Sequence, residues 1–221
     1  MTTAETLSRS RLPLLIDAST QVQVGIPDSK GWRTLAREEK PALESLFEAI
    51  SKSLEKIDSS ATAIDAILFC EGPGSTLGLR IAATAVKTIL RENEPSPSLF
   101  TYNALDLATI LSNDASRPIL APFRKGKRLL RSPISDSAIG SIEVLEETIS
   151  ESLSKEALHL PSLRSWETLP EGLDVLEYDI SHIAGLAGIS PILRPTEIPE
   201  VFTPVPAEFR KWKPARDLSP N

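Results

Sequence analysis

The stretch LFCEGPGSTLGLRIAATAVKTIL, residues 68–90, restricts the fold more than any other part of the chain. It reads as a buried strand, a glycine-rich turn and a helix, the order used by many phosphate-binding loops. The glycine spacing decides between the known types. A dinucleotide fingerprint needs G-x-G-x-x-G, whereas Gly72, Gly74 and Gly78 give G-x-G-x-x-x-G. No acidic residue follows about twenty positions later in a fitting strand context. A Walker loop needs Gly-Lys-Ser/Thr, but Leu79 and Arg80 follow Gly78. A turn without ligand stays open: Pro73 fixes its own φ, the glycines relax the chain, and Ser75 is a helix cap.

The helix after this turn is greasier than one sheet requires. Leu79, Ile81, Ala82, Ala83, Ala85, Val86, Ile89 and Leu90 span about 200° of its circumference at 100° per residue. A helix packed on one sheet needs about 100°. The surplus predicts a second neighbour, taken here to be another polypeptide. The narrow polar face carries Arg80, Thr84, Lys87 and Arg91.

Upstream, LPLLID (12–17), QVQVGI (21–26) and GWRTLA read as a three-stranded meander. In PALESLFEAISKSLEKI (41–57), apolar residues recur at spacings of three and four from Leu43 to Ile57, which predicts an amphipathic helix with Glu44, Glu48 and Glu55 outward. AIDAILFC (63–70) is mostly apolar and reads as a buried parallel strand. SLFTY is a further strand, and NALDLATILS a helix with Asn103 as its cap. Beyond residue 114, RPILAPF and KRLLRSPI pair through RKGK, VLEETISESL reads as helix, LDVLEYDI (173–180) as strand and SHIAGLAG as a short helix. No internal repeat is evident. Meander, helix, strand, helix, strand is the order of an α/β protein with a mixed sheet, of the ribonuclease-H-like type built into actin and hexokinase (ASKHA) folds.

Composition excludes several classes. The net charge of −6 is the wrong sign for a dedicated nucleic-acid binder, so any RNA contact is local or shared. The single cysteine, Cys70, permits no internal disulfide and suits a cytoplasmic location. The first apolar run, LPLLI, is too short for a signal-peptide core or a membrane span. His159 and His182 form no H-E-x-x-H motif, so no metal site is expected, and each has a surface or packing role. Cys70 ends a buried strand as an inert core residue. Near the end, EFRKWKPARD mixes Phe209 and Trp212 with four cations; RNA contact and docking onto the second lobe are both open.

GPGSTLGLRIAATAVK resembles the G-P-G-S-F-T-G-[LV]-R-I signature of the TsaB (YeaZ) family, and LLIDAST, AIDAILFCEGPGS, LFTYNALDLAT and SPILRP with KWKP resemble further segments of it in order. Thr76-Leu77 replaces the family's Phe-Thr, APFR replaces its D-A-R strand, and EKPALES replaces the opening of its first long helix. The resemblance implies a catalytically inert subunit of bacterial tRNA threonylcarbamoyladenosine synthesis. It would have a flexible tail (1–10), an N-terminal ASKHA-like subdomain with interface helices (11–113), and a degenerate C-terminal subdomain with a proline-rich tail (114–221). The partners implied are a TsaD-type transferase, a TsaE-type ATPase and, for the chain alone, a second copy; tRNA is engaged indirectly and no membrane is involved. The partner-binding set is Gly72, Pro73, Gly74, Ser75, Gly78, Leu79, Arg80, Val86 and Lys87. Asp17, Ser19 and Thr20 match the position of the first ASKHA phosphate loop and would be its vestige; the other reading of Asp17 is a turn cap at a strand end. No resident cofactor is expected, with ATP or ADP confined to a subunit interface. Two alternatives stay open: a stand-alone kinase- or ATPase-like enzyme using Asp17, and a homodimer that has lost the tRNA role.

Overall fold

The computed structural model describes residues 3–146, 148–161, 169 and 172–204. The chain begins with α1 (Thr3–Arg9), then the strands β1 (Pro13–Asp17), β2 (Val22–Pro27) and β3 (Trp32–Glu38). Next come α2 (Ala42–Glu55), β4 (Ala66–Gly72), α3 (Thr76–Glu92), β5 (Ser98–Asn103) and α4 (Ala104–Ser112). The second half holds β6 (Ile119–Arg124), β7 (Lys127–Ile134), β8 (Ser137–Glu146), α5 (Glu151–Glu156), β9 (Leu158–His159), β10 (Asp174–Val175), α6 (Gly185–Ile189) and β11 (Arg194–Pro195).

The first sheet has the order β11-β5-β4-β1-β2-β3. β1, β2 and β3 form an antiparallel meander, and β4 and β5 run parallel to β1. The central strands are buried on both faces, which explains their unbroken apolar runs. Leu14 and Ile16 of β1 and Ile67 and Phe69 of β4 point to the core under α2 and α3. Leu15, Leu68 and Cys70 alternate to the opposite core, which holds α4. The fold is therefore the mixed α/β, ribonuclease-H-like arrangement expected from the sequence.

The second sheet, β10-β9-β6-β7-β8, repeats the first sheet's order in short form. β6, β7 and β8 are again an antiparallel meander, while β9 and β10 are two-residue strands parallel to β6. This structural repeat leaves no trace in the sequence, because two-residue strands carry no readable period.

Four expectations are corrected. Residues 3–9 are helical, and Leu7 is buried in the core shared by the two sheets, so this part of the first ten residues is not a loose tail. Ser10 Oγ and the backbone N–H of Arg11 and Leu12 donate to the Asp65 carboxylate, which ties this end to the start of β4. The segment 144–153 is not one helix: β8 continues to Glu146, with Ile142 and Val144 alternating inward, and a helix starts only after Ser150, whose Oγ accepts from Leu153 N. The 173–180 strand is cut to Asp174–Val175. The Tyr178 carbonyl and Ile180 N–H bond to the Gln23 side chain instead of to a strand. Finally, the second neighbour of α3 is α2 of the same chain.

α4 joins the two sheets. Asn103 caps it as expected, accepting from Leu105 N at 3.0 Å. Asp106 on α4 accepts from Arg131 Nε on β7 at 3.1 Å and from Gly140 N on β8 at 2.9 Å. Both ionic side chains are about 1% exposed. Removing one member of such a pair strands a charge in a dry interior, so Asp106→Ala should cost about 3–5 kcal/mol in chemical denaturation. Glu151→Ala, which breaks the exposed Lys155–Glu151 pair, should cost under about 1 kcal/mol.

Candidate functional site

The glycine turn meets the end of β1, and its shape follows from that contact. Gly72 ends β4 at φ +105°, a conformation that favours glycine. A side chain at Gly74 would overlap the Ser19 carbonyl, and a Cβ at Gly78 would lie 2.5 Å from the Ala18 carbonyl oxygen. Ser75 N donates to Ser19 O at 2.6 Å. Ser75 Oγ accepts from Gly78 N at 3.2 Å and caps α3, as its position predicts. Gly74 and Gly78 therefore let the start of α3 lie directly on the β1–β2 turn. The backbone at Gly74 and Gly78 is thereby pressed against this chain's own carbonyls, while Ala18, Thr20, Ser75 and Gly78 also line an open cleft.

Asp17, immediately before that turn, has no solvent exposure. Its Oδ1 accepts from Ser19 N at 2.8 Å and Ser19 Oγ at 2.6 Å. Its Oδ2 accepts from Tyr102 OH at 2.9 Å and Tyr178 OH at 2.8 Å. Burial, then the Asp17 charge, holds both phenols well above their ordinary pKa, so they stay donors. The same two causes raise the Cys70 thiol. Four donors from three segments converge on one carboxylate. A hard cation needs free oxygens to bind, and both Asp17 oxygens are already engaged, so the residues at this position do not fit a magnesium–phosphate group. Among the described residues, no group of three or more His, Cys, Asp or Glu is gathered to hold a metal ion.

Beside this network lies an open cleft of about 600 Å³. Thr20, Arg37, Lys40 and the N-terminal ends of α2 and α3 form one wall, and Pro161, Glu177 and Tyr178 the other. Arg37 pairs with Asp179 across it at 2.5 Å. Burial pushes the Asp179 carboxyl up, but the Ser181 backbone and hydroxyl and the Arg37 cation outweigh it, and the net shift is down.

The partner-binding set expected from the sequence is divided by the fold. Arg80 and Lys87 are exposed, Gly74 and Ser75 half-buried, and Gly72, Pro73 and Gly78 buried in the turn. Leu79 and Val86 are 2% and 0% exposed. They belong to the interior of this chain, because α2 and the sheet take up the wide apolar arc of α3. Asp17, Ser19 and Thr20 are likewise buried. His159 is buried, its Nε2 accepting from Arg128 at 2.7 Å, while His182 is exposed. The segment 208–217 holding Phe209 and Trp212, and the KWKP match, lie outside the described residues.

What the sequence missed is an apolar patch over the groove between the two helices. Leu43 is 69% and Phe47 52% exposed on α2, and Leu77 is 63% exposed in the first turn of α3. Ile81, one turn after Leu77, is half-buried. Lys52 on α2 reaches Glu38 of β3 at 3.8 Å, so the Lys52 flank of α2 faces β3. Leu43 and Phe47 lie on the other flank, toward α3. Heptad-like counting placed Leu43 and Phe47 on the core side; they sit at its rim. Tyr102, Tyr178 and Gln23, the partners that close the Asp17 region, were also missed, since 85 and 161 residues separate the two tyrosines from Asp17.

Sheet order, central helix and repeated meander define an ASKHA-type, ribonuclease-H-like protein. A model of the family "TsaD: tRNA N6-adenosine threonylcarbamoyltransferase" matches residues 39–160, more than half of the chain. The chain belongs to that family. Among solved structures, YeaZ from Pseudomonas aeruginosa aligns at TM-score 0.50 and 16% identity, over 67% of this chain and 74% of that one. A second structure, of an uncharacterized protein with similarity to peptidase YEAZ from Pseudomonas aeruginosa, aligns at TM-score 0.51 and 17% identity over the same shares. The fold is that of YeaZ, as the sequence resemblance implied. No curated protein matches.

The turn makes a direct prediction. Gly78→Ala forces two backbones apart and should lower stability by about 1–3 kcal/mol in a urea melt. The Arg37–Asp179 pair gives a pH test. A carboxylate whose folded pKa is depressed contributes stability that is present above its unfolded value of about 3.9 and is lost as pH falls through the folded value. Asp179→Asn should therefore flatten the acid limb of the stability profile and leave its alkaline limb unchanged.

Proposed function

We propose that this chain is a non-catalytic subunit supporting N6-threonylcarbamoylation of tRNA adenosine. It docks its α2–α3 face on a TsaD-type transferase, which carries the chemistry. One observation carries this reading: both Asp17 carboxylate oxygens are engaged by internal hydrogen bonds, while Leu43, Phe47 and Leu77 stand exposed over the neighbouring groove. Apolar side chains clustered on a surface, rimmed by charge, suit a protein partner. Membership of the threonylcarbamoyltransferase family supports the reaction assigned to the assembly.

ATP or ADP belongs to the interface with the catalytic subunit, and a TsaE-type ATPase joins the assembled pair. The tRNA is reached through the complex. Cytoplasmic residence fits these partners, and among the described residues no helix is long and apolar enough to cross a membrane. The kinase- or ATPase-like reading loses its main residue, since both Asp17 oxygens accept from this chain's own donors.

A second reading is favoured by charge. The outer face of α2 carries Glu44 and Glu55, and that of α3 carries Arg80, Lys87 and Arg91. A two-fold axis through the groove sets each acidic helix against a basic one, which is the self-complementarity an isologous dimer requires. A homodimer is thus the resting state of the same face.

The test is co-elution with the organism's TsaD-type subunit, together with nucleoside analysis of tRNA from depleted cells carrying each variant. Phe47→Glu and Leu77→Glu should weaken association at least about 10-fold while changing monomer stability by no more than about 0.5 kcal/mol. Val86→Glu should instead unfold the monomer, since its charge is buried without a partner. Normal assembly and normal tRNA modification in both exposed-site variants would overturn the assignment of this face.

A further inference from the structure

We propose that a basic ridge on α3, formed by Arg80, Lys87 and Arg91, holds the phosphate backbone of the tRNA once the chain is docked on its transferase; this rests on the reading of the α2–α3 face given above. The ridge follows from helix geometry. At 100° per residue the three cations fall within about 40° of one another on the helix circumference. At 1.5 Å per residue they spread along about 16 Å of its axis. All three are exposed, with exposed Thr84 on the same line. No acidic residue occurs in α3 before Glu92. Among the described residues none of the three has a carboxylate partner, whereas Arg37, Lys52, Arg131 and Arg194 each have one. Lys87 and Arg91 are moreover a like-charged i, i+4 pair, which by itself works against the helix. An anion lying across both reverses that sign.

The neighbours of the ridge select the anion. On one side stand Leu77 and the apolar docking face. On the other, Pro199, Glu200, Val201 and Thr203 border an open groove with Arg80, Ala83, Thr84 and Lys87. Glu200 is the carboxylate of that groove, so an anion rides on the crest of α3 and not in the groove. Protein interfaces centre on apolar side chains and keep charge at the rim. The ridge has no apolar centre; the exposed apolar cluster is Leu43, Phe47 and Leu77, to one side of it. A line of cations suits a partner whose charge repeats along its length, as nucleic-acid phosphates do every few ångströms along a strand. Arginine forks bond phosphate oxygens in pairs. The net charge of −6 argues against RNA binding by the chain as a whole, but not along this line. Such contacts position an RNA without reading its sequence. At the edge of the docking face the ridge lies beside the subunit that carries the chemistry, so one tRNA spans both. In the resting homodimer Glu44 and Glu55 of the second copy face the same cations, and the ridge opens to RNA when the transferase replaces that copy.

The test uses the complex of the full-length chain with the TsaD-type subunit, and measures tRNA affinity over a series of salt concentrations. In the Arg80→Gln/Lys87→Gln/Arg91→Gln variant, thermal stability and co-elution with the transferase should be unchanged, since glutamine suits an exposed helix. The slope of log affinity against log salt should become shallower by about 2 to 3, and affinity at low salt should fall about 10-fold or more. The loss should be equal for tRNAs of different sequence. Lys30→Gln/Lys125→Gln/Lys155→Gln, on other elements, should leave the slope as it is. Co-elution with an unchanged slope overturns the proposal alone, and so does an equal loss in the second triple variant, which makes the effect one of overall charge. A folded ridge variant that no longer co-elutes also overturns it, because the cations then meet acidic groups of the protein partner. Failure of the native chain to co-elute overturns the docking reading and this inference with it.

Discussion

The carbonyls of Ala18 and Ser19 lie so close to the first turn of α3 that only glycine fits at positions 74 and 78. This backbone-on-backbone contact sets much of the first lobe. It fixes where α3 leaves β4, and with it the flank of α3 that α2 can cover. Glycines in a strand–turn–helix junction thus have two opposite uses: leaving room for a ligand, or permitting a close approach of the chain to itself. The spacing alone does not separate them. The residue opposite the turn does, and here it is a carbonyl of the same polypeptide, bonded to Ser75 N.

Below that contact, Asp17 draws together parts of the molecule far apart in sequence. Burying a carboxylate is costly unless donors replace the lost water, and here four do so. Tyr102 comes from β5 in the first sheet and Tyr178 from the segment after β10 in the second, so one carboxylate bridges the two lobes. Gln23 adds a second tie by bonding the Tyr178 carbonyl and the Ile180 N–H. Arg37 and Asp179 add a third at the rim of the cleft. The cleft walls are therefore joined at floor and edge. With both Asp17 oxygens engaged, the exposed apolar cluster near the cleft is that of Leu43, Phe47 and Leu77.

The sequence made the first lobe legible because its elements are long and periodic. The 3–4 spacing in α2, the apolar runs of β1 and β4, and the Asn103 and Ser75 caps each follow from local rules. The second lobe resisted for physical reasons. β9 and β10 are two residues each, and the backbone around Tyr178 is satisfied by a glutamine side chain 155 residues away. No local pattern announces such a partner. The excess apolar arc of α3 signals a second neighbour, but sequence does not say whether that neighbour is α2 or another protein. Leu79 and Val86 therefore lie inside this chain, while Leu77, half of the departure from the family's Phe-Thr, is the side chain that faces outward.

The engagement of both Asp17 oxygens by this chain's own donors separates a docking subunit from a nucleotide-using enzyme. Isothermal titration of magnesium-ATP into the full-length chain alone measures this most directly. No binding heat up to millimolar nucleotide is the result expected of a carboxylate already saturated by its own chain. Micromolar binding that Asp17→Ala abolishes would contradict it, and would return the protein to the class of nucleotide-using enzymes.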